Sequence, residues 1–246
     1  MTDKPDRPSS LKSFYRSPYL STKHSTYFHV YDRLFSKYVG QEITFVEIGV
    51  LNGGSLFLWR DFLGESARII GIDLNPAARK WEQHGFEIFI GSQQSPNFWQ
   101  DFFAKVGSID VILDDGGHTF EQQIVTCYCA VHHINDGGLL VVEDTHTSYM
   151  EEFGGPNPLS FVNYAKNIVD GINYRFSAFL GTKQSEKLVS SVQFFESIVA
   201  FEVDRALANI PSTHVVNAGA SMNAKDFRYN DGVTITASEL MKAFKY

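Results

Sequence analysis

Five short runs rich in Val, Ile, Leu and Phe lie between residues 43 and 142, separated from one another by segments of helical spacing, and this alternation leaves few folds open. The runs cover residues 43–48, 68–72, 86–90, 110–113 and 138–142. A helical pattern fills residues 55–62. Asn75–Pro76 and Ser95–Pro96 each open a further helix, with the polar residue as cap and proline in the first turn. Thr119, Phe120, Glu121 and Gln122 match a capping box, and Phe120, Ile124, Cys127, Tyr128 and Val131 share one face of the helix that follows. Strands joined through helices must run parallel. Their continuous apolar character means that helices cover both faces. The reading is an α/β chain with a doubly wound, Rossmann-like sheet.

The flanks are less regular. Residues 1–22 are rich in Pro, Ser and charge and read as a mobile N-terminal arm, leaving residues 23–246 as a single domain. Residues 24–38 form an amphipathic helix carrying Tyr27, Phe28, Tyr31, Leu34, Phe35 and Tyr38. Residues 146–158 are loop-like, residues 159–172 helical, and residues 192–203 strand-like with residues 187–190 as hairpin partner. Thr236 to Glu239 caps a short last helix.

Composition removes several partners. The net charge is −7 and the basic residues are scattered, so a nucleic-acid partner, which needs concentrated positive charge, is not expected. No apolar run approaches the roughly 20 residues that span a bilayer, and residues 1–10 lack a signal-like apolar stretch. A cytoplasmic protein without a membrane partner is expected. Cys127 and Cys129 lie two apart on one helix and point to different faces, so they read as apolar thiols.

The first strand runs into Glu47, Ile48, Gly49, Val50, Leu51, Asn52, Gly53, Gly54 and Ser55, a glycine turn opening a helix. Such a turn lets a ligand approach the backbone, and the helix start offers free N–H groups. The spacing differs from the dinucleotide fingerprint. The loop alone reads equally as an ordinary α/β turn, but the second strand ends in Asp73, an acid able to accept both hydroxyls of a ribose. With that pair the sequence resembles the class I S-adenosylmethionine-dependent methyltransferases. The resemblance implies a seven-stranded, mostly parallel sheet whose last two strands form an antiparallel hairpin in residues 188–203. It implies that Gly49, Asn52, Gly53 and Ser55 lie under the methionine end of S-adenosylmethionine, with Glu47 orienting the loop. Asp73 would hold the ribose, Ser92 and Gln93 would flank the adenine, and Asp114 would face the cofactor.

Two further strand ends carry acids. Asp114, Asp115, Gly116, Gly117 and His118 end the fourth strand, and Glu143 and Asp144 end the fifth. The strands should be neighbours, so the carboxylates converge with no Lys or Arg nearby in sequence. Gathering like charges is unfavourable without a cation, and Mg²⁺ or another hard divalent ion suits oxygen ligands. Neutral His118 can take a proton from a hydroxyl. This stretch is similar to the metal-dependent macrolide sugar O-methyltransferases of the mycinamicin 2''-O-methyltransferase type. In those, an acid–Asp–Gly–small–His segment precedes Glu–Asp at the next strand end; here 143 − 115 = 28, which fits. The likeness covers residues 20–205. It implies metal ligation by Asp115, Glu143 and Asp144, a base role for His118, and a small-molecule acceptor bearing a sugar hydroxyl. A homo-oligomer is compatible with it.

His146 and Tyr149 either line the acceptor pocket or face solvent. Lys23, His24 and Tyr27 correspond to a segment near the cofactor in related enzymes, or form a solvated helix start. Two other functions are open. A metal-dependent hydroxylase or hydrolase would favour two histidines and a carboxylate, of which only His118 is well placed. A non-catalytic S-adenosylmethionine-binding protein would have no need of an intact base and acids.

Overall fold

The computed structural model describes residues 9–174, 176, 187–222, 224–225, 232 and 236–243. The expected strands are β1 (Thr44–Ile48), β2 (Arg68–Asp73), β3 (Glu87–Ile90), β4 (Ile109–Asp114) and β5 (Ile134–Val142), followed by β6 (Val189–Phe195) and β7 (Ile198–Val203). They form one seven-stranded sheet in the order β3-β2-β1-β4-β5-β7-β6. The first five are parallel to one another, and β7 runs antiparallel to both β5 and β6. This is the Rossmann-like methyltransferase arrangement that the resemblance implied. Strand order reverses between β1 and β4, and ligands of such sheets bind there, beyond the carboxyl ends of the strands.

The helices are α1 (Ser10–Arg16), α2 (Tyr27–Phe35), α3 (Gly54–Leu63), α4 (Pro96–Val106), α5 (Phe120–Ala130), α6 (Phe161–Asn173), α7 (Arg205–Asn209) and α8 (Ala237–Ala243). Local chemistry sets their starts. Ser95 caps α4 through Phe98 N, and Thr119 and Gln122 form the complete capping box of α5. Asn75 caps as expected, but its segment, Pro76–His84, is a 3₁₀ helix.

The sheet separates two buried clusters. On one side Tyr31 and Phe35 of α2 and Trp59 of α3 pack on Phe45, Val111, Leu113 and Val141. On the other, Trp99 and Phe102 of α4, Cys127 of α5 and Phe161 of α6 pack on Val46, Ile48, Ile112 and Leu140. Each such side chain withdrawn from water contributes roughly 1.5–3 kcal/mol.

Three sequence expectations change. The run 192–203 is two strands, because Glu196 and Ser197 form a two-residue turn with Ser197 at φ +60°, and β6 itself is the hairpin partner. The turn lacks the Gly or Asn that marks such hairpins. The first long helix begins at Tyr27 rather than residue 24, and Ser36–Tyr38 continue as a 3₁₀ turn. Within the segment read as an arm, α1 is a docked helix. Ser9 caps it, Ser10 donates through its hydroxyl to the Phe28 carbonyl at 3.0 Å, and the Ser10 amide donates to Asp32 at 2.7 Å.

The chain divides into two compact units, Met1–Ser212 and Thr213–Tyr246. The sheet and every candidate site residue belong to the first; the second contains α8. Among the described residues, no helix is long and apolar enough to cross a membrane.

Candidate active site

The glycine loop is braced from β1. Glu47 is fully buried; its carboxylate accepts from the Ser55 hydroxyl at 2.7 Å and from Trp59 Nε1 at 3.1 Å. Both donors stand on α3, so Glu47 ties the helix to the strand. Burial pushes its carboxyl up to about 7, against the pull of nearby Lys23. Gly49 has φ +91°, and a Cβ there would lie 2.1 Å from the Asp115 carbonyl oxygen. Gly53 has φ +79°, and its Cβ would meet the Trp81 ring at 2.3 Å. Both positions therefore need glycine for backbone conformation and for space. Asp73 locks the turn: Oδ2 accepts from the Val50 and Leu51 amides at 2.9 and 3.0 Å, and Oδ1 from the Asn75 amide at 2.8 Å. Oδ1, with a single donor, retains acceptor capacity for a ligand hydroxyl.

A cavity of about 570 Å³ opens over the carboxyl ends of β1, β2, β4 and β5. Asp73, Leu74 and Ser92 line it toward β2 and β3, and Asp115, His118, Glu143 and Asp144 toward β4 and β5. Of the residues expected at the cofactor, Gly49, Asp73, Ser92 and Gln93 line this cavity. Glu47, Asn52, Gly53, Ser55 and Asp114 do not.

Asp114 turns away from the cavity. It is 1% exposed, and the Gln93 amide donates to both its oxygens at 2.9 Å, while the Gly116 amide donates at 3.1 Å. Burial raises its carboxyl to about 6, with these donors opposing the rise. Gln93 also donates to Thr126 and accepts from the Gly117 amide, so it fastens the β4 turn to α5.

The acidic end holds a residue that local sequence did not connect to it. Lys23 Nζ lies 2.6 Å from Asp115, 2.9 Å from Glu143 and 4.0 Å from Glu47, with its side chain 2% exposed. Burial opposes its charge, but Asp115 and Glu143 outweigh burial and hold it well above the ordinary lysine range. The carboxylates are therefore matched by a lysine far away in the chain. Glu143 is completely buried: Tyr31 donates to Oε1 at 2.6 Å and Lys23 to Oε2. Burial drives the Glu143 carboxyl upward as well, and Asp115 adds to the rise, while Lys23 and Tyr31 oppose it.

The remaining ligand atoms converge beside this ion cluster. One atom each of Asp115, His118 and Asp144 lies within 4.8 Å of the others. His118 has φ +60°, its Nε2 is 3.4 Å from Asp144 Oδ2, and its buried Nδ1 has no hydrogen-bond partner. Thr147 anchors this strained residue by donating to its carbonyl at 3.0 Å. Two carboxylates and an imidazole suit a divalent cation, whereas Glu143 is committed to Tyr31 and Lys23. On the far side of Asp144, Tyr27 donates to Oδ1 and, at 2.8 Å, contacts Ser197. His146 hydrogen-bonds Ser197, and one atom each of His24, Asp144 and His146 also lies within 4.8 Å of the others. His146 and Tyr149 do not line the cavity, and Tyr149 is 63% exposed.

A family model described as a methyltransferase domain matches residues 46–145. The demethylmacrocin O-methyltransferase of Streptomyces fradiae is 30% identical over 184 residues, covering 70% of this chain and 46% of that protein. The mycinamicin VI 2''-O-methyltransferase of Micromonospora griseorubida is 31% identical over 185 residues, covering 70% and 45%. The chain thus spans about half the length of the curated relatives it matches. The MycE methyltransferase of the mycinamycin biosynthetic pathway, solved in complex with Mg, SAH and mycinamycin VI, superposes with a TM-score of 0.73 at 23% identity. That alignment covers 98% of this chain and 60% of MycE, and it concerns the fold. With the glycine turn, Asp73 and the seven-stranded order already in place, these likenesses identify the chain as one that carries a methyltransferase domain on the Rossmann-like methyltransferase fold.

Proposed function

We propose that the chain is an S-adenosylmethionine-dependent, divalent-metal-dependent O-methyltransferase whose acceptor is a hydroxyl on a sugar or glycosylated small molecule, acting in the cytoplasm without nucleic acid or membrane. One observation carries the reading: a single cavity joins the Asp73 turn to the Asp115–His118–Asp144 cluster. The sugar-hydroxyl acceptor is carried over from the name of a relative in Streptomyces olivaceus, the 8-demethyl-8-α-L-rhamnosyl tetracenomycin-C 2'-O-methyltransferase.

Asp73 and the loop at Gly49 would hold the cofactor, whose sulfonium presents an electrophilic methyl group. Asp115 and Asp144 would hold the cation, which lowers the pKa of a hydroxyl beside it. His118, left out of the cation's ligands in this reading, would take the hydroxyl proton as the oxygen lone pair forms the new C–O bond. The C–S bond breaks, and its electron pair stays on sulfur as a neutral thioether. Placing acceptor oxygen and methyl carbon in line is the main task left to the cavity wall.

Isothermal titration with S-adenosylmethionine tests the first half: heat consistent with one site is expected, and its absence removes the reading. Transfer of labelled methyl to a panel of glycosides tests the second. Turnover that survives both EDTA and His118→Ala removes the metal and the base.

A second reading has an observation of its own. His24, Asp144 and His146 supply the two histidines and one carboxylate of an iron oxygenase site, which the sequence alone did not reveal. Tyr27 and Ser197 already engage Asp144 and His146, which weighs against it. Retained Fe(II) with oxygen consumption would favour this alternative.

A further inference from the structure

Lys23 poses a problem for the cation site. Asp115 belongs to the cluster that could bind a divalent ion, yet its Oδ2 accepts from the Lys23 ammonium at 2.6 Å. The same ammonium spans to Glu143 at 2.9 Å and stands 4.0 Å from Glu47. An ammonium and a divalent cation repel each other and compete for the charge of Asp115, so a cation drawn to Asp115 and Asp144 works against the Lys23 pair. Besides the ion pairs, the Lys23 ammonium stands 5.9 Å from the centre of the Tyr31 ring. Lys23 lies outside regular structure, between α1 and α2, with neighbours Thr22 and His24 exposed. A lysine's four-carbon stem is flexible, and the exposed residues on either side of Lys23 leave it a route to solvent.

We propose that Lys23 is a built-in competitor of the divalent cation: the ammonium pairs with Asp115 and Glu143 in the metal-free protein, and the metal binds by displacing it. The inference rests on the metal-dependent reading, and it adds that metal affinity is set by Lys23 as well as by the ligands. An apparent affinity falls by the fraction of molecules in the competent state, so a well-formed Lys23 ion pair weakens metal binding in proportion. It also keeps the acidic strand ends folded before any metal arrives.

The test uses the full chain, Mn²⁺ as probe, and neither S-adenosylmethionine nor acceptor. Reductive methylation of the wild-type protein, read by peptide mass spectrometry, should leave Lys23 protected without Mn²⁺ and modify it at saturating Mn²⁺. Exposed Lys80 should react equally in both states and serves as internal reference. Electron paramagnetic resonance titration should show Lys23→Met binding Mn²⁺ about tenfold or more tightly than wild type. Continued protection of Lys23 at saturating Mn²⁺ overturns the proposal, as does equal affinity of the two proteins; either result leaves the metal-dependent reading standing. Failure of both proteins to bind Mn²⁺ overturns the proposal and the metal half of the function together, and leaves cofactor binding to be read separately. The labelling arm needs no variant, so it holds even if Lys23→Met does not fold.

Discussion

Glu47→Gln isolates how the glycine loop is held. Glu47 sits under the cavity with no water contact, bonded to Ser55 and Trp59. Its carboxyl rises from the ordinary 4.5 to about 7, chiefly through burial. At 1.36 kcal/mol for each pH unit, that rise corresponds to about 3 kcal/mol. A folded pKa above the unfolded one means that the folded protein binds the extra proton. The stability it contributes is complete below about pH 4.5 and is lost as pH rises through about 7. Glutamine stays neutral, and its amide oxygen can accept from Ser55 or Trp59 in the same way. Wild type and Glu47→Gln should therefore match near pH 5, and the variant should gain on wild type by about 2–3 kcal/mol near pH 8.5. Urea denaturation followed by tryptophan fluorescence at steps between these pH values measures the difference. Parallel curves for the two proteins across the range, or a variant that loses ground as pH rises, would refute the account of Glu47 as a neutral brace.

Three other outcomes follow from the same geometry. Gly49→Ala places a Cβ 2.1 Å from the Asp115 carbonyl at positive φ, so chemical denaturation should show a loss of roughly 3 kcal/mol or more, with S-adenosylmethionine binding abolished. His118→Ala should lower kcat by roughly 10²–10⁴-fold while calorimetry finds S-adenosylmethionine affinity near wild type, since in the proposed mechanism the imidazole would act on the acceptor. Gln93→Ala strips buried Asp114 of its side-chain amide donor, which should cost roughly 2–3 kcal/mol. That cost should grow as pH rises past about 6, because only ionised Asp114 needs the donor as charge compensation, and thermal melts across pH 5–8 would read it.

What the sequence disclosed about the site depended on whether the signal was local. Strands β1 to β5 and the caps at Ser95 and Thr119 follow from residues next to one another, and they were legible. Resemblance set Lys23 beside the cofactor, and it lines the cavity, but its ion pairs were not legible, because Asp115 and Glu143 stand 92 and 120 residues away. The sequence contains no lysine or arginine close to those acids, so a metal looked like the sole counter-charge; topology supplied another. The Ser197 contact to Tyr27 spans 170 residues and left no local trace.

The misplacement of Asp114 has a different cause, because strand periodicity did contain the answer. Side chains alternate between faces along a strand. Phe45, Val111, Leu113 and Val141 face the side covered by α2 and α3, whereas Val46, Ile48, Ile112, Leu140 and Val142 face α4, α5 and α6. Counting on by two places Glu47, Asp115 and Glu143 on the first side, where Lys23, Tyr31 and Trp59 meet them. The same count sends Asp114 to the second side, against Gln93 and Thr126. Asp144 would follow Asp114, but its positive φ of 54° ends the alternation and returns its carboxylate to His118. Parity thus divides five clustered acids into three ion-paired with or lying near a lysine, one buried brace and one turned by strain toward the histidine. The expected metal set of Asp115, Glu143 and Asp144 cuts across that division, and Asp115 belongs both to the lysine cluster and to the candidate cation site.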